Sequence, residues 1–283
     1  MHSAEDERAA SDRLAAGWRH LAAFFREGVR HLPAAIEAFR DAERAQRGAG
    51  GGDALVDTLV GLSLALRLLR DPDESRRAVV LSQELVNIVR RGRSDKDVLP
   101  YRGALEGAYR DLADVERAEA AVAAAEAGIA ACDRTLGLAR RLREAGAVPH
   151  AQAVKAALLV RLAVLRGSAD AGRRVREAER LFAAALEGWP ERDVDGRAVL
   201  WCDFAEALAA GRDAWRAGRF AGDAVDALRH TGNRYLQARA ARAEAHAALA
   251  AGRPDALDLI MAAAASFRAL GCEWEARQVE GLV

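Results

Sequence analysis

Lysine is nearly missing from this sequence: of 42 basic residues only Lys96 and Lys155 are lysines, which leaves 40 arginines. That bias reads as the codon usage of a GC-rich genome. Net charge is missing too, because 42 acidic residues match the 42 basic ones. A neutral chain offers no bulk field to a polyanion, so neither nucleic acid nor an anionic membrane is expected as a partner. Cysteine is scarce and dispersed, with Cys132, Cys202 and Cys272 each 70 residues from the next. Such a set builds no disulfide framework and no paired-thiol metal site, and it points to a reducing, cytoplasmic setting. The most apolar stretch, Leu55 to Leu69, is broken by Asp57 and Arg67 and is too short to cross a bilayer. The first eight residues are acidic where a secretory leader needs basic ones, so no leader is expected.

Alanine fills the space left by aromatics, which are only 5% of the chain. There are 68 alanines in 283 residues. Alanine loses no side-chain entropy in a helix and gives a pleated sheet little to pack, so the composition predicts an all-α protein. Apolar residues recur at three- and four-residue steps throughout, and alternating strand patterns are absent. Caps and breakers predict about fourteen helices, near 4–28, 32–47, 53–70, 73–92, 98–112, 114–130, 133–145, 149–166, 169–188, 196–210, 212–230, 233–251, 254–270 and 272–282. One long helix fits 114–145 equally well. Short connections imply antiparallel neighbours. The chain is expected to form one domain over 1–283, with flexible joints at 48–52 and 93–100.

The sequence repeats itself. Glu206-Ala-Leu-Ala-Ala-Gly-Arg212 recurs 41 positions on as Ala247-Ala-Leu-Ala-Ala-Gly-Arg253, and the helices that follow end alike at an offset of 39. A looser copy of the turn occurs at Leu162 to Gly167. Glycine suits a helix C′ position, which needs positive φ. A unit of about 40 residues, two helices and two turns, buries its apolar stripe only by stacking on the next unit.

Trp18-x2-Leu21-Ala22-x2-Phe25, followed by Ala35-x3-Phe39-x2-Ala42, resembles the tetratricopeptide repeat, whose pattern is Trp-x2-Leu-Gly-x2-Tyr and then Ala, Phe and Ala on a second helix. Ala22 stands for the glycine and Phe25 for the tyrosine. The hairpins over 196–270 are similar to the divergent repeats in sensor regions of large bacterial transcription regulators, with Gly211, Gly218, Phe220 and Gly252 at matching positions. The resemblance implies antiparallel hairpins stacked into a right-handed superhelix whose concave face holds a protein or peptide partner. It also places Arg239, Arg242 and His246, and in the first hairpin Arg19 and Arg26, on the groove-facing stripe, where cations bind a carboxylate or an acidic peptide.

Motifs for chemistry are sparse. The six histidines, at 2, 20, 31, 150, 230 and 246, include no pair at helical metal-ligand spacing. Glu191-x-Asp193-x-Asp195-Gly196 imitates the start of a calcium loop, but Cys202 stands where its bidentate Glu belongs, so Asp195 reads as a helix cap. Gly48–Gly52 follows a helix and lacks the Gly-Lys-Ser/Thr of a phosphate loop. The cysteines sit among apolar helical neighbours, as core residues do. Arg90-Arg91-Gly92-Arg93 closes a helix rather than marking a nucleic-acid surface. No metal, cofactor or catalytic residue is expected. The sequence points to a non-catalytic interaction scaffold, and alternatively to a signal-sensing module that binds a peptide or small ligand and acts through a partner.

Overall fold

The computed structural model describes residues 4–49, 52–167 and 170–282. Among them there are helices and no strand. Thirteen α-helices follow one another: α1 Ala4–Glu27, α2 Leu32–Gly48, α3 Asp53–Leu68, α4 Pro72–Gly92, α5 Asp95–Val115, α6 Ala118–Leu142, α7 Val148–Arg166, α8 Ala171–Gly188, α9 Val194–Ala210, α10 Ala214–Leu228, α11 Arg234–Ala250, α12 Ala256–Ala269 and α13 Glu273–Glu280. They fall into two compact units, one of residues 1–24 and 30–147, the other of 25–29 and 148–283. The division after residue 147 lies at neither expected joint. Gly50 and Gly51 of the 48–52 joint lie outside the described residues.

Consecutive helices pack together from α2 to α6 in the first unit and from α7 to α13 in the second, and some helices also touch one hairpin on: α3 with α5 in the first unit, α7 with α9 and α9 with α11 in the second. This is the contact pattern of stacked hairpins, with the first helices of neighbouring hairpins side by side. Polar side chains start the helices by accepting from orphan N–H groups: Asp71 from Glu74 N at 3.0 Å, Asp193 from Gly196 N at 2.9 Å, Asp213 from Arg216 N at 3.1 Å, Asn233 from Leu236 N at 3.1 Å. Asp193, not the expected Asp195, therefore caps α9, and Asp195 instead accepts from Asn233 Nδ2 at 3.0 Å.

Two other boundaries differ from expectation. The 93–100 joint is helical from Asp95, because Asp97 accepts from Ser94 N at 3.1 Å and starts α5 ahead of Pro100. Of the two readings of 114–145, the single long helix holds: α6 runs unbroken from Ala118 to Leu142, while Asp114 and Val115 end α5. Nothing at Ala131–Asp133 breaks it, and Thr135 Oγ1 is satisfied by Ala131 O at 3.3 Å. By length and composition α7 is apolar enough to cross a membrane, yet half of it is buried, and it packs on α8 and α9.

The first hairpin keeps the resemblance's second helix and shifts its first. Ala35, Phe39 and Ala42 are fully buried, but Ala22 is exposed and Trp18 is 38% exposed, its ring edge-on to Phe39 at 5.4 Å. The close contact is made by Gly17, where a Cβ would sit 2.6 Å from the Phe39 ring, and by Gly61 of α3, where it would sit 2.4 Å away. Phe39 is thus boxed between two backbones, so Gly17, five residues before Ala22, makes the close approach expected of Ala22.

In the second unit the repeat runs one residue out of phase with its sequence alignment. Arg212 N donates to Ala209 O at 3.0 Å and Asp213 N to Leu208 O at 2.9 Å; Gly252 N donates to Leu249 O at 3.0 Å and Arg253 N to Ala248 O at 3.0 Å. Arg212, at φ 64°, is therefore the equivalent of Gly252, at φ 64°. The offset is 40, not 41, and a left-handed arginine occupies the C′ position of α9. Residues 25–29 pack in this unit. Val29 N donates to Leu270 O at 2.7 Å, and Gly28, at φ 98°, passes so close that a Cβ would lie 2.1 Å from that oxygen.

Two stability predictions follow from these backbones. Arg212→Gly relieves a left-handed side-chain conformation and is expected to stabilise the chain by about 1 kcal/mol in urea unfolding, while Gly252→Ala loses a similar amount. Gly61→Ala forces a methyl into a ring that cannot move and is expected to cost about 2 kcal/mol; Gly222→Ala, exposed on α10 with open space around it, should instead gain a few tenths.

Candidate functional site

The first helices of neighbouring hairpins carry charge into their contact. Between α9 and α11, Arg239 donates to Asp203 at 2.5 Å, and Arg242 grips both oxygens of Glu206 at 2.9 and 3.2 Å. Each pair spans 36 positions, about one repeat. The side chains are 10–13% exposed in the first pair and 15–22% in the second. Burial pushes the Glu206 carboxyl up, but Arg242, His246 and Arg239 outweigh it and hold it below the usual carboxylate range. Burial lowers His246 and Arg242 adds to that, with Glu206 opposing. Beside them burial raises the Cys202 thiol to about 12, which leaves it unreactive. None of the three cysteines is in a disulfide, and all are buried.

The first unit repeats the device between α3 and α5. Arg67 Nε donates to Asp111 at 2.6 Å and Arg70 at 3.1 Å, around a carboxylate 5% exposed. Burial opposes the charge, yet Arg67, Arg70 and Arg110 hold Asp111 well below the ordinary range. Gly107 makes room, since a Cβ there would meet Arg67 Nη2 at 2.5 Å.

The structure thus brings Arg239, Arg242 and His246 onto one stripe of α11, as their spacing implies, but not as open cations. Arg239 is 8% exposed, and acids one hairpin away neutralise both arginines. Arg19, in the first unit, and Arg26, in the second, are exposed. Asp203 and Glu206 were not singled out from sequence, and neither was the bond from Tyr235 Oη to Glu275 at 3.1 Å. The available signal was an acid and an arginine separated by one repeat length.

No protein-family model matches the chain, and no curated protein matches it significantly. Among solved structures, a Rap protein complexed with Competence and Sporulation Factor is similar over 93% of this chain and 71% of that one, with TM-score 0.56 and 14% identity. BtubC from P. vanneervenii (TM-score 0.45, 13% identity, 99% and 92% covered) and the TPR2AB domain of yeast Sti1 with pHSP90 (TM-score 0.31, 18% identity, 96% and 96% covered) superpose more loosely. The fold is a tetratricopeptide-like helical repeat.

Breaking one arm of the stripe tests its energetics. Arg242→Met leaves Glu206 largely buried without its bidentate partner and is expected to cost about 3 kcal/mol in urea unfolding, most of it recovered by adding Glu206→Leu. Glu206 has a folded pKa below its unfolded 4.5. Its contribution is therefore complete above pH 4.5 and lost as pH falls through the folded value, so the deficit of the variant should shrink on acidification.

Proposed function

We propose that the chain is a non-catalytic scaffold that holds a protein or peptide on the face lined by the first helices of its hairpins. The observation carrying this reading is the fold likeness to the Rap protein, whose structure contains Competence and Sporulation Factor. Inter-hairpin ion pairs favour the reading because they fix that face before a partner arrives, and a preformed face binds with less ordering cost. In this reading Arg239, Arg242 and His246 shape the face of the second unit from beneath and Arg26 of that unit meets the partner's acidic groups directly, while Arg19 offers a cation on the first unit by itself. No cofactor, nucleic acid or membrane takes part. The buried thiols suit a reducing compartment. The same Rap complex also favours a second reading, a sensing module whose ligand changes hairpin stacking and so its effect on a partner protein.

Affinity capture with the purified chain, followed by gel filtration, separates the two. A stoichiometric protein partner is expected, bound about tenfold more weakly by Arg26→Glu or Arg19→Glu at unchanged melting temperature. A chain that retains no protein but melts higher with a peptide or small-molecule fraction is the sensor instead.

A further inference from the structure

The first unit contains a cleft that the interaction face leaves unused. It has a volume of about 540 Å³ and is walled by Arg90 at the end of α4, Asp95 and Arg102 on α5, and Asp133, Arg134 and Arg141 on α6. Four guanidiniums therefore face two carboxylates. Gly137 lies between the α6 arginines, and a Cβ there would have nothing within 4 Å, so the wall is open.

The crowding leaves its mark on Arg102. Burial depresses its guanidinium, and Arg134 and Arg90 add to that, against Glu106 and Asp95. Its Nε is buried without a hydrogen-bond partner. One turn further along α5, Glu106 is 1% exposed and neither carboxylate oxygen has a partner. Thr135, which faces it from α6, donates its hydroxyl to Ala131 O at 3.3 Å. Burial raises Glu106 to about 7, against the pull of Thr135, Arg102 and Arg134, so this acid is only partly ionised at neutral pH and does not cancel the cations around it.

Elsewhere in the same unit arginines meet acids directly, Arg67 and Arg70 on Asp111 and Arg47 on Glu84 at 2.7 Å. A buried donor with nothing to accept from it, as at Arg102 Nε, marks a missing partner. We infer that this cleft is a binding site for a phosphate-type oxyanion, the phosphoryl group of a small molecule, gripped by Arg102, Arg134 and Arg141 with Arg90 at the rim. Guanidinium forks pair two-pronged with phosphate oxygens, and a dianion matches the excess of two positive charges. The volume admits a ligand of metabolite size. Binding at this site does not depend on a protein partner.

Calorimetric titration of the full chain at constant ionic strength tests it, with inorganic phosphate, pyrophosphate and citrate as the three probes. One saturable site is expected for pyrophosphate, weaker for phosphate, with affinity reduced at least tenfold in Arg102→Gln and in the double variant Arg134→Gln with Arg141→Gln. Arg134 and Arg141 are exposed, so the double variant should keep its circular dichroism and melting temperature. A stronger response to pyrophosphate than to phosphate assigns the site to a diphosphate ligand, and an equal response assigns it to a single phosphoryl group. The inference is overturned if neither phosphate probe binds with a Kd below ~10 mM, if the double variant binds as the parent does, or if citrate binds as tightly.

Discussion

Opposite charges buried between neighbouring hairpins are the constraint on which the rest of this structure depends. Alanine-rich faces let helices approach closely, and close approach removes water from any long side chain caught between them. An arginine in that position is stable only with a carboxylate in reach. The acid comes from the adjacent hairpin, so the pairs recur at roughly one repeat length: 36 positions for Arg239 with Asp203 and for Arg242 with Glu206, and 37 for the more exposed pairs of Arg47 with Glu84 and Arg216 with Glu179. An alanine surface has few features to set its register, because shifting it by a turn exchanges one methyl for another. Paired charges supply the register that the apolar surface lacks.

This gives the scarcity of lysine a physical consequence, whatever set the codon usage. A bidentate grip such as that of Arg242 on Glu206 needs a planar fork, and an ammonium offers a single point of charge that is harder to strip of water. The same preference explains the glycine at 107, which lets the broad Arg67 guanidinium lie flat against α5 on its way to Asp111. Composition, close packing and ion-pair geometry are here one solution.

Most helices were legible in the sequence because periodicity and caps are local. Ala35, Phe39 and Ala42 were legible as core because their spacing places them on one helical face. What escaped reading depends on a neighbour that local pattern does not contain. Gly17 rather than Ala22 meets Phe39 because Gly61 presses from the opposite side, and a ring held between two backbones tolerates no Cβ on either. Gly211 aligns with Gly252 by identity, yet the turn places Arg212 at the left-handed position, since hydrogen bonding fixes the turn and the side chain merely accepts the strain. The stripe of Arg239, Arg242 and His246 was legible as geometry but not as chemistry, because its charge state is decided by Asp203 and Glu206 on another helix.

Helix α5 sets the two electrostatic outcomes side by side. Near its end, Asp111 collects arginines until its carboxylate is held ionised despite burial. Nine residues earlier Arg102 sits among like charges with a buried, unpartnered Nε, and Glu106 between them is kept partly neutral by the same burial. Both places exclude water and both gather arginines, so desolvation does not distinguish them. The supply of acid does: the α3–α5 contact brings its own carboxylate, and the α4–α6 cleft brings too few. A repeat that neutralises the α3–α5 and α9–α11 contacts between its first helices, and leaves an excess of cations where a cleft opens to solvent, has its register fixed internally at those contacts and its remaining charge turned toward a ligand.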